Sequence, residues 1–170
     1  MREHTVQKLN ALNHAFYAAV ADDFARSRQK PWDGFGKVVS LLDEPAQPAH
    51  APARPRAILD VGAGDGRFAA FVHAAGVSLE GYLGVDASHA LLSLARARNL
   101  PGASFAYTDF VADDADDVLP RGPFDLVTLF GVLHHVPALE RRLRLVRALA
   151  SRLAPAGVLT LTFWRLHEDP

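Results

Sequence analysis

Three observations predict a doubly wound α/β domain with a mostly parallel sheet, entered through an N-terminal helical cap. From Arg56 onward, short apolar runs alternate with amphipathic stretches, the pattern of strands and helices taken in turn. The apolar runs show no polar alternation, so each strand is expected to be buried on both faces, as a parallel sheet requires. Asp60 and glycines 62, 64 and 66 then follow the first run directly, with a helical pattern behind them.

The elements follow in order. Residues 3–28 carry Val6, Leu9, Leu12, Phe16, Val20 and Phe24 at three- and four-residue steps, which predicts an amphipathic helix, or a broken pair of helices, with that stripe turned inward. Pro31 ends it, because the residue before a proline disfavours helix. A short helix is expected over 36–42. Four prolines fall between Pro45 and Pro55, so 45–55 reads as an extended connector between a cap, residues 1–44, and a sheet domain, 56–170, the two forming one globular unit. Strand 56–61 precedes helix 66–75, and strand 80–86 precedes helix 88–98. Strand 103–108 leads into a short acidic segment containing Asp113, Asp114, Asp116 and Asp117, a solvated loop. Strand 124–130 precedes helix 138–153, whose Leu139, Leu143, Val146, Leu149 and Leu153 form a core stripe. Strand 157–163 closes the series.

Composition bounds the function. The chain has 170 residues, 49% hydrophobic and 22% charged, which suits one globular domain with a real core. No apolar run approaches the roughly 18 residues of a membrane span, and the N-terminus lacks a signal peptide's apolar stretch. A cytoplasmic location with no membrane partner is expected. Cysteine is absent, which excludes disulfides and thiolate metal sites. A net charge of −1 gives no overall attraction to nucleic acid, although a local patch stays open.

The glycine loop carries the chemistry. Gly62, Gly64 and Gly66 permit backbone angles closed to other residues and let a ligand approach the main chain. Taken alone, the loop admits a tight strand-to-helix turn or a dinucleotide site. Dinucleotide loops favour G-x-G-x-x-G, however, with pyrophosphate on the helix amides. Here the third glycine comes one residue early, and Asp60 precedes the first. A carboxylate there repels phosphates and suits a ligand with a cationic amino or sulfonium end. The tips of the next three strands carry Asp86, Asp109 and Gly131, where an open parallel sheet binds its ligand.

These residues resemble motif I of the class I S-adenosylmethionine-dependent methyltransferases, and the resemblance continues downstream. Gly84-Val-Asp-Ala-Ser88 is similar to that family's second strand end, Tyr107-Thr-Asp-Phe110 to its third, and Phe124 to Val136 to its fourth strand and the loop beside the adenosine. The resemblance implies a Rossmann-like sheet of about five strands and S-adenosyl-L-methionine as cofactor. It assigns Asp60, Gly62, Ala63, Gly64 and Gly66 to the methionine end and Asp86 with Ala87 to the ribose. Asp109 and Phe110 fall to the adenine, with Phe130 and Gly131 lining the pocket. The family's sheet usually has seven strands, the last two an antiparallel pair. The resemblance reaches five here, leaving the fifth as an edge bearing Leu159, Leu161 and Phe163, open to self-association or an activator subunit.

A narrower resemblance joins Phe16-Tyr17, Arg28, Lys30, Pro31 and Trp32, the Val132-Leu-His-His-Val-Pro string and the Gly157–Trp164 strand. Together they are similar to the tRNA wobble-uridine carboxymethyl methyltransferases. This implies modified tRNA as substrate, with Tyr17, Arg28, Lys30, Trp32, His134 and His135 as candidate substrate contacts. Arginine suits a carboxylate because its fork pairs bidentately. Adjacent histidines point in different directions, so no metal is expected; one of them suits a general base for a hydroxyl acceptor. No catalytic nucleophile is evident. Arg141, Arg144, Arg147 and Arg152 read as a solvated face, or as a track for tRNA phosphates. The alternatives are a small-molecule methyltransferase, a truncated cofactor-binding protein without catalysis, and an NAD(P)-linked oxidoreductase.

Overall fold

The structure, a computed structural model, describes residues 1–27, 30–43 and 56–163. Arg28, Trp164 and the proline-rich stretch 45–55 lie outside the described residues. Two helices, α1 (Glu3–Ser27) and α2 (Gly34–Asp43), precede the sheet domain. The sheet domain then runs β1 (Arg56–Val61), α3 (Arg67–Ala74), β2 (Leu79–Asp86), α4 (His89–Ala97), β3 (Ala103–Tyr107) and α5 (Ala115–Val118). It continues with β4 (Phe124–Leu129), a 3-10 turn at Leu133–His135, α6 (Leu139–Ala150) and β5 (Leu153–Leu161). The strands lie in the order β3-β2-β1-β4-β5, and all four pairings are parallel. Strand order therefore reverses between β1 and β4, and the crevice for a ligand opens beyond their carboxyl ends.

Burial explains the unbroken apolar runs. Along β1, Ile58 packs with Phe35, Val38, Leu42, Phe68 and Val72 on one face of the sheet. The next residue, Leu59, packs with Val85, Val127, Leu145 and Leu149 on the other. Strands covered on both faces leave no position for a polar side chain without a partner. Fully burying one such leucine or isoleucine stabilises the fold by roughly 1.5–3 kcal/mol. No described helix is long and apolar enough to cross a membrane.

Helix α6 ends at Ala150, so Leu153 of its expected core stripe belongs to the next strand. Leu139 and Leu143 of that stripe are exposed, and Arg152, expected on a solvated face, is buried and paired with Asp116. Two further elements depart from expectation. The fifth strand begins at Leu153 rather than at 157, because the chain bulges between two paired stretches. Leu153 pairs with Phe124 and Val158 with Leu126, and Ala156 between them adopts a positive φ of 62°. Of the apolar residues expected on this edge, Leu159 and Leu161 are half-buried against the core, whereas Phe163 is 62% exposed.

The second of the two is α1. Val6 is buried, but Leu9, Leu12 and Phe16, expected inward, are 38%, 66% and 57% exposed. The helix turns a polar stripe inward instead: Asn10, Asn13, His14 and Tyr17. Its inner face meets carbonyl and carboxylate groups at the sheet's carboxyl edge, which reward hydrogen-bonding side chains and leave an apolar stripe no partner surface. Asn10 donates to the Val111 carbonyl and Asn13 to the His135 carbonyl, each at 3.4 Å. Glu3 anchors the helix start through an ion pair with Arg141 on α6.

Candidate functional site

Each carboxylate at a strand tip is held differently. Asp60, near the end of β1, is 2% exposed and accepts hydrogen bonds from Tyr82 Oη and Thr128 Oγ1, both at 2.5 Å. Burial pushes its pKa up to about 6, against the lowering pull of the two hydroxyls. Asp86 ends β2 and clasps two loops at once. Its Oδ2 accepts from the Gly64 amide at 2.9 Å and its Oδ1 from the Ser88 amide at 2.8 Å. Burial raises its pKa as well, offset by those backbone donors. Asp109, just beyond β3, accepts from the Ala112 amide at 2.9 Å and the Val111 amide at 3.3 Å, and its second oxygen meets His14.

The glycine loop is clamped from α4. Arg98, at that helix's C-terminal end, donates Nε–H to the Asp65 carbonyl at 2.6 Å and pairs with the Asp65 carboxylate. Gly62 and Gly64 have positive φ values of 77° and 56°, a region that side chains disfavour. A Cβ on Gly62 would lie 2.2 Å from Val132 Cγ2, whereas one on Gly64 would meet nothing within 4 Å. The Gly64 position therefore borders open space.

That space is a cavity of about 1080 Å³, its open mouth included, and Asp60, Asp86 and Asp109 all line it. The other residues expected at the cofactor line it too, except one. Gly66 instead caps α3 and packs against α4, where an added Cβ would sit 3.1 Å from that of Ala95. Of the expected substrate contacts, Tyr17 and His135 line the cavity, whereas Lys30, Trp32 and His134 do not. Trp32 packs its ring near Phe35 and Phe130 and stays 46% exposed. Arg28 lies outside the described residues.

A model of the Methyltransferase domain family matches residues 59–159, from β1 through most of β5, with the whole cavity floor between. The chain belongs to that family. The tRNA (carboxymethyluridine(34)-5-O)-methyltransferase of Saccharomyces cerevisiae is 28% identical over 158 residues, covering 91% of this chain and 48% of the yeast protein. A ubiquinone biosynthesis O-methyltransferase of Xanthomonas campestris is 30% identical over 162 residues, covering 86% of this chain and 61% of that protein. Among solved structures, the DhpI-SAM-HEP complex matches with a TM-score of 0.64 at 18% identity, over 95% of this chain and 67% of that one. It shares the fold.

In this methyltransferase domain the cavity is also lined by residues that motif reading missed. Asn10, Asn13 and His14 reach the cavity from α1, and Phe35, Asp65 and Arg67 reach it from α2, the glycine loop and α3. The α1 set had a legible signal, since polar side chains at 10, 13, 14 and 17 repeat at helical spacing. Tyr17 Oη stands 2.9 Å from His135 Nε2, and burial lowers the His135 pKa. At neutral pH that imidazole is uncharged, with a nitrogen lone pair for a proton.

Proposed function

We propose that this domain binds S-adenosylmethionine and transfers its methyl group, with the carboxylate of a modified wobble uridine in tRNA as the first-choice acceptor. The observation that carries the reading is the convergence of Asp60, Asp86 and Asp109 on one cavity beside the glycine loop. The residues suit the cofactor. Gly64 leaves room for a ligand against the backbone, the rings of Phe110 and Phe130 offer apolar walls, and carboxylates complement a sulfonium. In this reading the glycine loop and Asp60 hold the methionine end, Asp86 the ribose hydroxyls, and Asp109 with Phe110 the adenine. With a pKa of about 6, Asp60 stays mostly ionised at pH 7.

When bound, the cofactor supplies a methyl group already activated by its sulfonium. The chain's task is then alignment and the exclusion of water. The glycine loop and β4 loop fix one reactant, and α1 closes over it. A carboxylate acceptor needs no base, and in this reading Lys30, whose carbonyl accepts from Arg67 of the cavity wall, supplies its cation. The edge of β5 offers backbone groups to a second copy or an activator subunit.

One observation favours a second acceptor class. His135, uncharged and touching Tyr17, is suited to take the proton of a hydroxyl, as a small phenolic or alcoholic acceptor would require. Calorimetry with S-adenosylhomocysteine tests the cofactor reading: Asp86→Ala abolishes binding while circular dichroism stays unchanged. Unchanged affinity in that variant counts against the ribose assignment. A gel shift with total tRNA, lost in Lys30→Ala, separates the two acceptors.

A further inference from the structure

The cavity has two sides of different chemistry. Its acids, Asp60, Asp65, Asp86 and Asp109, stand on β1, the glycine loop, β2 and the residues just beyond β3. On the β4 side the lining turns to rings. Phe130 and His135 come from the loop after that strand, and Tyr17 and Phe24 from the second half of α1. Since β4 and β2 flank β1 on opposite sides, this wall faces away from Asp86 and Asp109. With the cofactor held by the acids, the ring side is left for the acceptor.

The rings are fixed before an acceptor arrives. Tyr17 makes edge-on contacts with Phe24 and His135, with centroids 5.3 and 5.6 Å apart and planes at 86° and 85°. Its hydroxyl also stands 2.9 Å from His135 Nε2. Phe130 is braced edge-on by Phe68 at 5.1 Å. Rings held in this way lose little freedom on binding, which favours affinity.

Core packing accounts for buried rings, and Phe35 and Phe68, which pack against Phe130, are of that kind. Tyr17, Phe24, Phe130 and His135 are only half-buried, and all four border the cavity. Aromatic rings carry a negative face and a positive edge, so they reward a second flat ring over a saturated one of equal size. Stacking of this kind accepts any nucleobase, because each has a π-face.

We propose that the β4 side of the cavity is an acceptor subsite that selects a flat conjugated ring, with Tyr17 and Phe24 as its specificity-determining residues and Phe130 as a further wall. This rests on the methyltransferase reading above and narrows it: a modified uracil and a phenol both qualify, whereas aliphatic alcohols and saturated rings do not.

The test uses the full chain saturated with S-adenosylhomocysteine, whose binding is first established by calorimetry. Two pairs of probes, each differing chiefly in ring flatness, are then titrated by NMR. One pair is 5-carboxymethyluridine and its 5,6-dihydro form; the other is phenol and cyclohexanol. In at least one pair the flat member is expected to bind roughly fivefold to a hundredfold more tightly, the span of stacking on an aromatic side chain. The pair that shows it distinguishes a nucleobase from a free phenol.

Phe24→Leu and Tyr17→Leu keep apolar bulk without a π-face, so each should bring that ratio down to about twofold or less, whereas Tyr17→Phe should preserve it. Affinity for S-adenosylhomocysteine should hold within about twofold in all three, which separates lost stacking from a disturbed cap. Equal binding within both pairs, or no binding of either flat probe, would overturn the subsite and leave the cofactor reading standing. So would a preference that survives both leucine variants. If the unmodified chain does not bind S-adenosylhomocysteine, the methyltransferase reading falls and this subsite with it.

Discussion

His14 Nε2 on α1 and Asp109 Oδ2 beyond β3 meet at 2.9 Å, although 95 positions separate them in the chain. The contact ties the cap to the adenine end of the cavity proposed above, so the wall of the site depends on a helix outside the sheet. Alongside it act the Asn10, Asn13 and Tyr17 bonds to the same edge.

His14→Ala therefore loosens α1 without unfolding the domain. The two side chains are 38% and 15% exposed, so solvent screening limits the global loss to about 1 kcal/mol or less. Hydrogen exchange should speed up along residues 10–20 while the amides of β1 and β4 stay protected. Unchanged exchange in α1 would show that the remaining bonds suffice.

Asp60 predicts a pH dependence of stability. Its folded pKa of about 6 lies above the ordinary 3.8, so between these values the folded state holds more protons than the unfolded one. Stability from this group therefore falls as pH rises through that window and is lowest above it. About two pKa units correspond to on the order of 3 kcal/mol. Asp60→Asn keeps an oxygen for one of the Tyr82 and Thr128 hydroxyls, turns an amide N–H to the other, and removes the titration. Urea denaturation at pH 4.5 and pH 7 should show a smaller drop in the variant than in the parent, and identical drops would refute the burial argument.

The fold was legible where apolar runs are continuous. Strand β1 spans 56–61 as expected, and β2, β3 and β4 end within one residue of their expected limits, because burial on both faces leaves a local signature. The inner face of α1 was not legible in the same way. Periodicity selects the apolar stripe Leu9-Leu12-Phe16, but the partners of α1 are polar groups at 109, 111 and 135, which no local window contains. The site divides along the same line. Asp60, Asp86 and Asp109 sit at strand tips, where topology announces them, while Arg67 and Asn10 lie within helices and take their meaning from packing.

Gly64 separates folding from binding. Its φ of 56° costs a side chain about 1 kcal/mol, and a Cβ there meets no atom within 4 Å. Gly64→Ala should thus lower the thermal midpoint by only a few degrees. The new methyl group points where the cofactor is proposed to lie, so affinity for S-adenosylhomocysteine should fall tenfold or more by the order of magnitude of a lost close approach. A variant that keeps full affinity would move the ligand away from this loop.

Tyr17 and His135 give the prediction that distinguishes acceptors. Burial holds the His135 pKa below its ordinary 6.5, so the imidazole becomes available as a base at a lower pH than a free histidine would. For a hydroxyl acceptor, kcat/KM should rise with pH along a limb whose midpoint lies below that ordinary value, and lose the rising limb in His135→Gln. Tyr17→Phe keeps the ring but removes the 2.9 Å contact, so it should move the midpoint of the limb more than the plateau. A carboxylate acceptor is already ionised near pH 5 and asks no base of the protein. Its profile stays flat across the histidine range, and His135→Gln then changes KM rather than the pH dependence.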